Sequence, residues 1–309
     1  MRLTSPNTTK IANRRYWMAV QHMRAVWQAV TAKWSETMER RGKPRGYRWP
    51  RLVPDGHVLS RDEVLWLAKD GNRPEEYEDA AIARWVEEVD GPAYYCAVAD
   101  GATESVYADL WATMLVEAYS RGELSNSGLR AALAAVRQEW HRLVEGRPRP
   151  WYMQHKLRSG SFASLTGLIL RDAGAMRARG GVWTAMAVGD SCLFQIRGDR
   201  LITCFPITSP AQFNNRPTLL GSSPGENPDL EDLQISMSGS WQPHDEFLLM
   251  TDALALWFLK AHERGEQPWL ELRSLWLGEP ERAFEAWAEE RRMCGELRND
   301  DLTLLRVAM

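Results

Sequence analysis

Asp100, Asp190, Asp252 and Asp300 each stand at the end of a short apolar run, in AYYCAVADGATES, WTAMAVGDSCLFQIRGD, EFLLMTDALALW and RNDDLTLLRV. They are far apart in sequence, yet strand tips from separate parts of a chain can meet at one sheet edge. Carboxylates gathered without histidine or cysteine suit hard divalent cations such as Mg²⁺ or Mn²⁺, which take oxygen ligands and keep waters for chemistry. The simplest chemistry for such a set is metal-dependent hydrolysis of a phosphoryl group.

The elements that must position these residues follow from pattern. Residues before about 60 form a separate extension. Trp17, Val20, Met23, Trp27, Val30 and Trp34 recur at three- and four-residue steps, one stripe of an amphipathic helix. RRGKPRGYRWPRLVPDG follows as a basic linker broken by Pro and Gly. Ser60 and Glu63 form a capping-box pattern that predicts a second helix through Leu67, ending near Gly71. Beyond it, strands are expected at 93–99, 162–170, 183–188, 192–197, 201–205, 247–250 and 302–307. Helices are expected at 108–119, 129–144, 253–260 and 283–292. The Pro/Gly/Ser/Asn-rich stretch 206–242 reads as a long surface loop, a kind that is more often functional than idle. Helices and antiparallel strands in separate blocks predict an α+β fold, with the boundary between extension (1–58) and main domain (59–309) near residue 58.

Composition is consistent with this. The 309 residues, 44% hydrophobic, suffice for one large core. A net charge of −3 exerts no general pull on nucleic acid or anionic membranes, so neither is an expected partner. The four cysteines lack CxxC spacing and read as free thiols. No run approaches the length of a membrane span and the N-terminus lacks a signal-peptide core, so a cytoplasmic location is expected.

Taken together and in order, these segments resemble the metal-dependent type 2C (PPM) protein serine/threonine phosphatases over about residues 75 to 309. VADGATES resembles the Asp-Gly motif, which implies Asp100 as the ligand bridging two metals and Gly101 as a backbone-carbonyl ligand. AVGDSCLF resembles the Gly-Asp-Ser turn, implying Asp190 near a looser third metal. MTDALALW is similar to the Thr-Asp-Gly motif and NDDLTLLRV to the terminal Asp-Asn-x-Thr motif, implying Asp252 and Asp300 as ligands. EYEDAA resembles Asn-Glu-Asp-Ala, implying Glu78 and Asp79 around metal-held waters, and Gly160 to Ser164 resembles the small-residue strand between the two halves. The resemblance also implies a four-layer α-β-β-α sandwich of two antiparallel sheets. Its cofactors would be two Mn²⁺ or Mg²⁺ ions, its substrate a phosphoprotein. DGATES-like bacterial relatives imply signalling opposite a cognate kinase.

The residue types suit the reaction. Two cations sharing Asp100 can hold a hydroxide in line with phosphorus and offset the phosphoryl charge, with no covalent nucleophile. Departures from the family pattern favour a rival reading, a catalytically weak or inactive binding module. Ala102 replaces a histidine, Ala253 a glycine and Leu256 an aspartate; Asp301 stands where an asparagine is usual. Arg73, the candidate phosphate-binding arginine, lies five residues before Glu78 instead of four. The N-terminal extension is an expected site for a protein partner.

Other signals have ordinary readings. Gly221-Ser-Ser-Pro-Gly225 fits a nucleophile pattern but has no strand and helix around it, so a turn is expected. His155 and His244 show no ligand spacing, and Trp257 and Trp287 fall at helical spacing as core residues.

Overall fold

Apolar runs with both faces covered set the layers. In β11 (Asp245–Met250) every residue is buried: Phe247 and Leu249 face a second sheet, while Leu248 and Met250 face helices. β12 (Leu302–Ala308) divides likewise, Leu305 and Val307 on one side and Leu302 and Leu304 on the other. Side chains that alternate in direction but are apolar throughout place a strand at the centre of a sandwich.

The computed structural model describes residues 63–124, 129–145, 160–172, 180–214, 216–223, 225–227 and 233–309. The extension predicted for 1–58, its Trp27 and Trp34, the basic linker and His155 lie outside the described residues. One five-stranded sheet has the order β1 (Glu63–Leu67), β12, β11, β7 (Cys192–Arg197), β8 (Arg200–Phe205). The other runs β10 (Ile235–Trp241), β6 (Gly181–Val188), β5 (Leu165–Asp172), β3 (Gly91–Ala99), β2 (Ala80–Glu88). All the pairings are antiparallel. β4 (Phe162–Ala163) and β9 (Leu220–Gly221) make a small third pairing.

Helices α1 (Ala108–Ser120) and α2 (Leu129–Glu145) cover the second sheet, and α3 (Asp252–Glu263), α4 (Pro268–Ser274) and α5 (Pro280–Met293) cover the first. The architecture is α+β, a four-layer α-β-β-α sandwich. Trp257 and Trp287 are buried as expected and meet edge to face at 4.8 Å. Gly167 lets Tyr119 of α1 lie flat on β5, since a Cβ there would stand 2.2 Å from the tyrosine ring. Cys96 and Cys192 are buried, whereas Cys204 is half-buried and Cys294 exposed.

Three expectations change. Residues 63–67 are an edge strand, not a helix: the register Leu65↔Leu304 puts this run against β12, and a four-residue apolar run carries too little periodicity to specify a helix. β2 and α4 had no counterpart in the sequence reading. The stretch 206–242 is not one loop, because its end forms edge strand β10, paired with β6 and anchored by buried Trp241. Within it, Ser222 is buried and accepts a hydrogen bond from the Ser161 N–H at 2.8 Å, so the Gly221 to Gly225 pattern has a structural role. His244 is exposed in the turn before β11 with φ of 72°.

Candidate metal centre

Antiparallel pairing brings distant strand ends to one edge. The end of β3 lies beside the start of β2 (Ala80↔Ala99), and the end of β11 beside the starts of β12 and β7 (Met250↔Leu304 and Met250↔Cys192). Asp100 follows β3, Asp79 precedes β2, Asp190 lies in the turn from β6 to β7, Asp252 opens α3, and Asp300 comes just before β12. The charges sense one another. Burial pushes the Asp100 carboxyl well above the usual carboxylate range, helped by the negative charges of Asp79, Asp252, Asp190 and Asp300. Asp79 is pushed up by burial and by Asp301, and Asp252 by burial and by Asp300. Asp190 rises to about 7 through burial and the charge of Asp252. The sequence-predicted aspartates are thus brought together.

The surroundings hold this edge in place. Thr303 Oγ1 donates to Asp79 Oδ2 at 2.7 Å, Tyr77 Oη pairs with Thr303 Oγ1 at 2.5 Å, and the Thr303 N–H donates to Thr251 Oγ1 at 3.1 Å. Ser164 Oγ accepts from the Asp100 N–H at 3.2 Å and pairs with Ser191 Oγ at 2.6 Å, so the small-residue stretch supports the turn after β3. Asp301 accepts from the Lys69 and Glu78 N–H groups at 2.8 and 2.7 Å. Its carboxylate therefore ties down the β1–β2 connection with both oxygens, which the single acceptor of an asparagine amide could not do.

Gly101 is required for close approach. A Cβ there would stand 2.6 Å from the Glu78 carbonyl oxygen and 3.0 Å from Ala108. Gly101→Ala should therefore lower stability by roughly 1–3 kcal/mol, read as a drop in thermal midpoint. An unchanged midpoint would mean that the loop yields.

Solved structures share this fold. The photosystem II phosphatase PBCP superposes with a TM-score of 0.51 at 15% identity, over 81% of this chain and 98% of that one. The catalytic domain of the serine threonine protein phosphatase PstP, in complex with 2 manganese ions, gives 0.50 at 16% identity, over 81% and 98%. A bacterial serine phosphatase gives 0.51 at 11% identity over the same shares. The chain has the PPM phosphatase fold. No protein-family model and no curated protein sequence matches it.

Within the PPM fold, the donor chemistry at this edge fits Mg²⁺ or Mn²⁺. The side chains offer oxygen only, and Asp252 Oδ1 is buried with no hydrogen-bond partner. Although the aspartates share this edge, among the described residues no three His, Cys, Asp or Glu side chains are disposed as a ready-made metal cluster. The aspartates are close enough to raise one another's pKa.

The remaining predicted residues lie at the margin. Glu78 faces Lys69, whose Nζ is 3.6 Å from Glu78 Oε2 and donates to Thr103 Oγ1 at 3.1 Å. Burial raises the Glu78 carboxyl. Arg73 is 82% exposed and turned to Glu76, so the structure does not bring it to the aspartates. Leu256 is buried in α3, where the family pattern has an aspartate. The sequence reading did not single out Arg298, whose Nη1 lies 3.7 Å from Asp252 Oδ2. Its position two residues before Asp300 was the available signal.

Proposed function

We propose that this chain is a divalent-cation-dependent protein phosphatase hydrolysing phosphoserine and phosphothreonine. The observation that carries the reading is the convergence of Asp79, Asp100, Asp190, Asp252 and Asp300 at one edge of a PPM-type sandwich. Two bound Mn²⁺ or Mg²⁺ ions would lower the pKa of water and offset phosphoryl charge. Asp100, the Gly101 carbonyl, Asp252 and Asp300 would hold them, with Glu78 and Asp79 binding surrounding waters and Asp190 beside a weaker third ion. Thr303 fixes Asp79 from behind, and Thr251 holds the Thr303 backbone, through the hydrogen bonds described above. Ala102 offers no proton to the leaving alcohol, so that proton comes from water or another side chain.

The partners that fit are a phosphoprotein and its cognate kinase, in a cytoplasmic signalling role, with the N-terminal extension as a protein-docking segment. Among the described residues no helix is long and apolar enough to cross a membrane.

Ala102, Leu256 and exposed Arg73 favour a second reading, a weak or inactive regulatory module of the same fold. Hydrolysis of p-nitrophenyl phosphate with Mn²⁺, Mg²⁺ or EDTA decides between them. Turnover that needs a metal supports the phosphatase. Folded protein inert with every metal would establish the regulatory module.

A further inference from the structure

We propose that Arg298 is a substrate-binding residue that grips the phosphoryl group at this centre, an inference that rests on the phosphatase reading. A dianionic ester entering a ring of carboxylates needs a cation with free donors on the entry side. Arg73 is not brought to the aspartates, Lys69 is held by Thr103 and Glu78, and Arg292 donates to the Asp300 carbonyl oxygen at 2.7 Å and has its Nε buried. Arg298 differs. Its side chain is 45% exposed and, among the described residues, its one ion contact, to Asp252, is long. Its positive charge acts on Asp190 as well as on Asp252.

The backbone that carries it is held on both sides. Leu297 is buried and its N–H donates to the Arg291 carbonyl at 3.2 Å. Asn299 accepts from the Asp70 N–H at 2.7 Å and donates to the Asp70 carbonyl at 3.2 Å. The Asp300 N–H donates to the Arg298 carbonyl at 3.1 Å. A guanidinium fork on a fixed backbone, with one edge toward a carboxylate and the other toward solvent, is suited to bidentate phosphate recognition.

The test compares wild type, Arg298→Ala and Arg298→Lys, with Arg282→Ala on the exposed face of α5 as a charge control. Three quantities are read on the full chain: KM and kcat for p-nitrophenyl phosphate, calorimetric binding of inorganic phosphate to Mn²⁺-loaded protein, and binding of Mn²⁺ itself. In Arg298→Ala, KM should rise and phosphate affinity fall by about 10- to 100-fold, the range for hydrogen bonds to a charged group. Arg298→Lys should recover part of the loss, and Mn²⁺ affinity should hold or tighten. Unchanged phosphate binding with tighter Mn²⁺ would overturn the inference and leave Arg298 as a counter-ion of Asp252. A wild type that binds phosphate through Arg298 without turning over ester would sink the phosphatase reading and keep this one. A wild type that binds no phosphate would sink this one.

Discussion

Asp252→Asn should abolish metal-dependent hydrolysis while making the metal-free protein more stable. The two effects share one cause. Asp252 opens α3 with Oδ1 buried and unpartnered, and burial together with Asp300 holds its carboxyl above the usual range. In EDTA the ionised form is therefore the unfavourable one. A neutral amide of the same shape removes a charge from a repelling group, so the thermal midpoint should rise. With Mn²⁺ present the same change removes a hard anionic ligand. Loss of one such electrostatic partner costs on the order of 10²- to 10³-fold in kcat.

The paired readout separates the readings of the site. A loss of activity with a lower midpoint in EDTA would mean that the substitution merely damages the fold. Unchanged activity would exclude Asp252 from the chemistry. Excess Mn²⁺ should recover part of the activity if weakened metal binding is the main defect, because affinity can be offset by concentration where ligand geometry cannot.

The parts of this centre legible in sequence were those fixed by local pattern. β3, β6 and β11 are apolar runs followed within two residues by an aspartate, and β12 is one preceded by it, because a strand buried on both faces must be largely apolar and the turns at its ends must be polar. Asp100, Asp190, Asp252 and Asp300 could be picked out for that reason. Elements defined by pairing were hidden. β1 follows Ser60 with a valid capping pattern, yet its backbone pairs with β12 at the far end of the sequence, and the Lys69 N–H just beyond it donates to the Asp301 carboxylate 232 positions away. β10 reads ISMSGSW and is mostly exposed, so little in its composition marks a strand. Charge partners were hidden for the same reason. Arg73 was chosen by its spacing from Glu78, but a 3₁₀ turn at Pro74–Glu76 directs it to Glu76, while Arg298 reaches Asp252 from a loop on the other side of the sheet end.

Without metal, stability should fall as pH rises from 5.5 to 8.0, and Mn²⁺ should reverse the trend. Asp190 illustrates the sign. Its folded pKa is about 7, against about 3.9 for an unfolded aspartate, so between these values the native state holds more protons than the unfolded state. Stability then declines with pH through that window and levels off above about 7. From pH 5.5 to 7 the slope amounts to about 2 kcal/mol for this one group. That corresponds to a midpoint lower by roughly 4–8 °C in a domain of this size. Asp79, Asp100 and Asp252 shift in the same direction and steepen the decline. Asp245 does not oppose it: burial raises it, but hydrogen bonds from Arg197, Gln242 and Gln195 and the Arg197 charge together outweigh that and lower its carboxyl, so its contribution is complete above the unfolded pKa and is lost only in stronger acid. Bound cations take the place of the extra protons and favour the ionised carboxylates, so the Mn²⁺-loaded midpoint should climb with pH over the same interval. Thermal scans at pH 5.5, 6.5, 7.5 and 8.0, in EDTA and in Mn²⁺, provide the check. A midpoint in EDTA that stays flat or rises with pH would show that these carboxylates do not repel one another as one buried group.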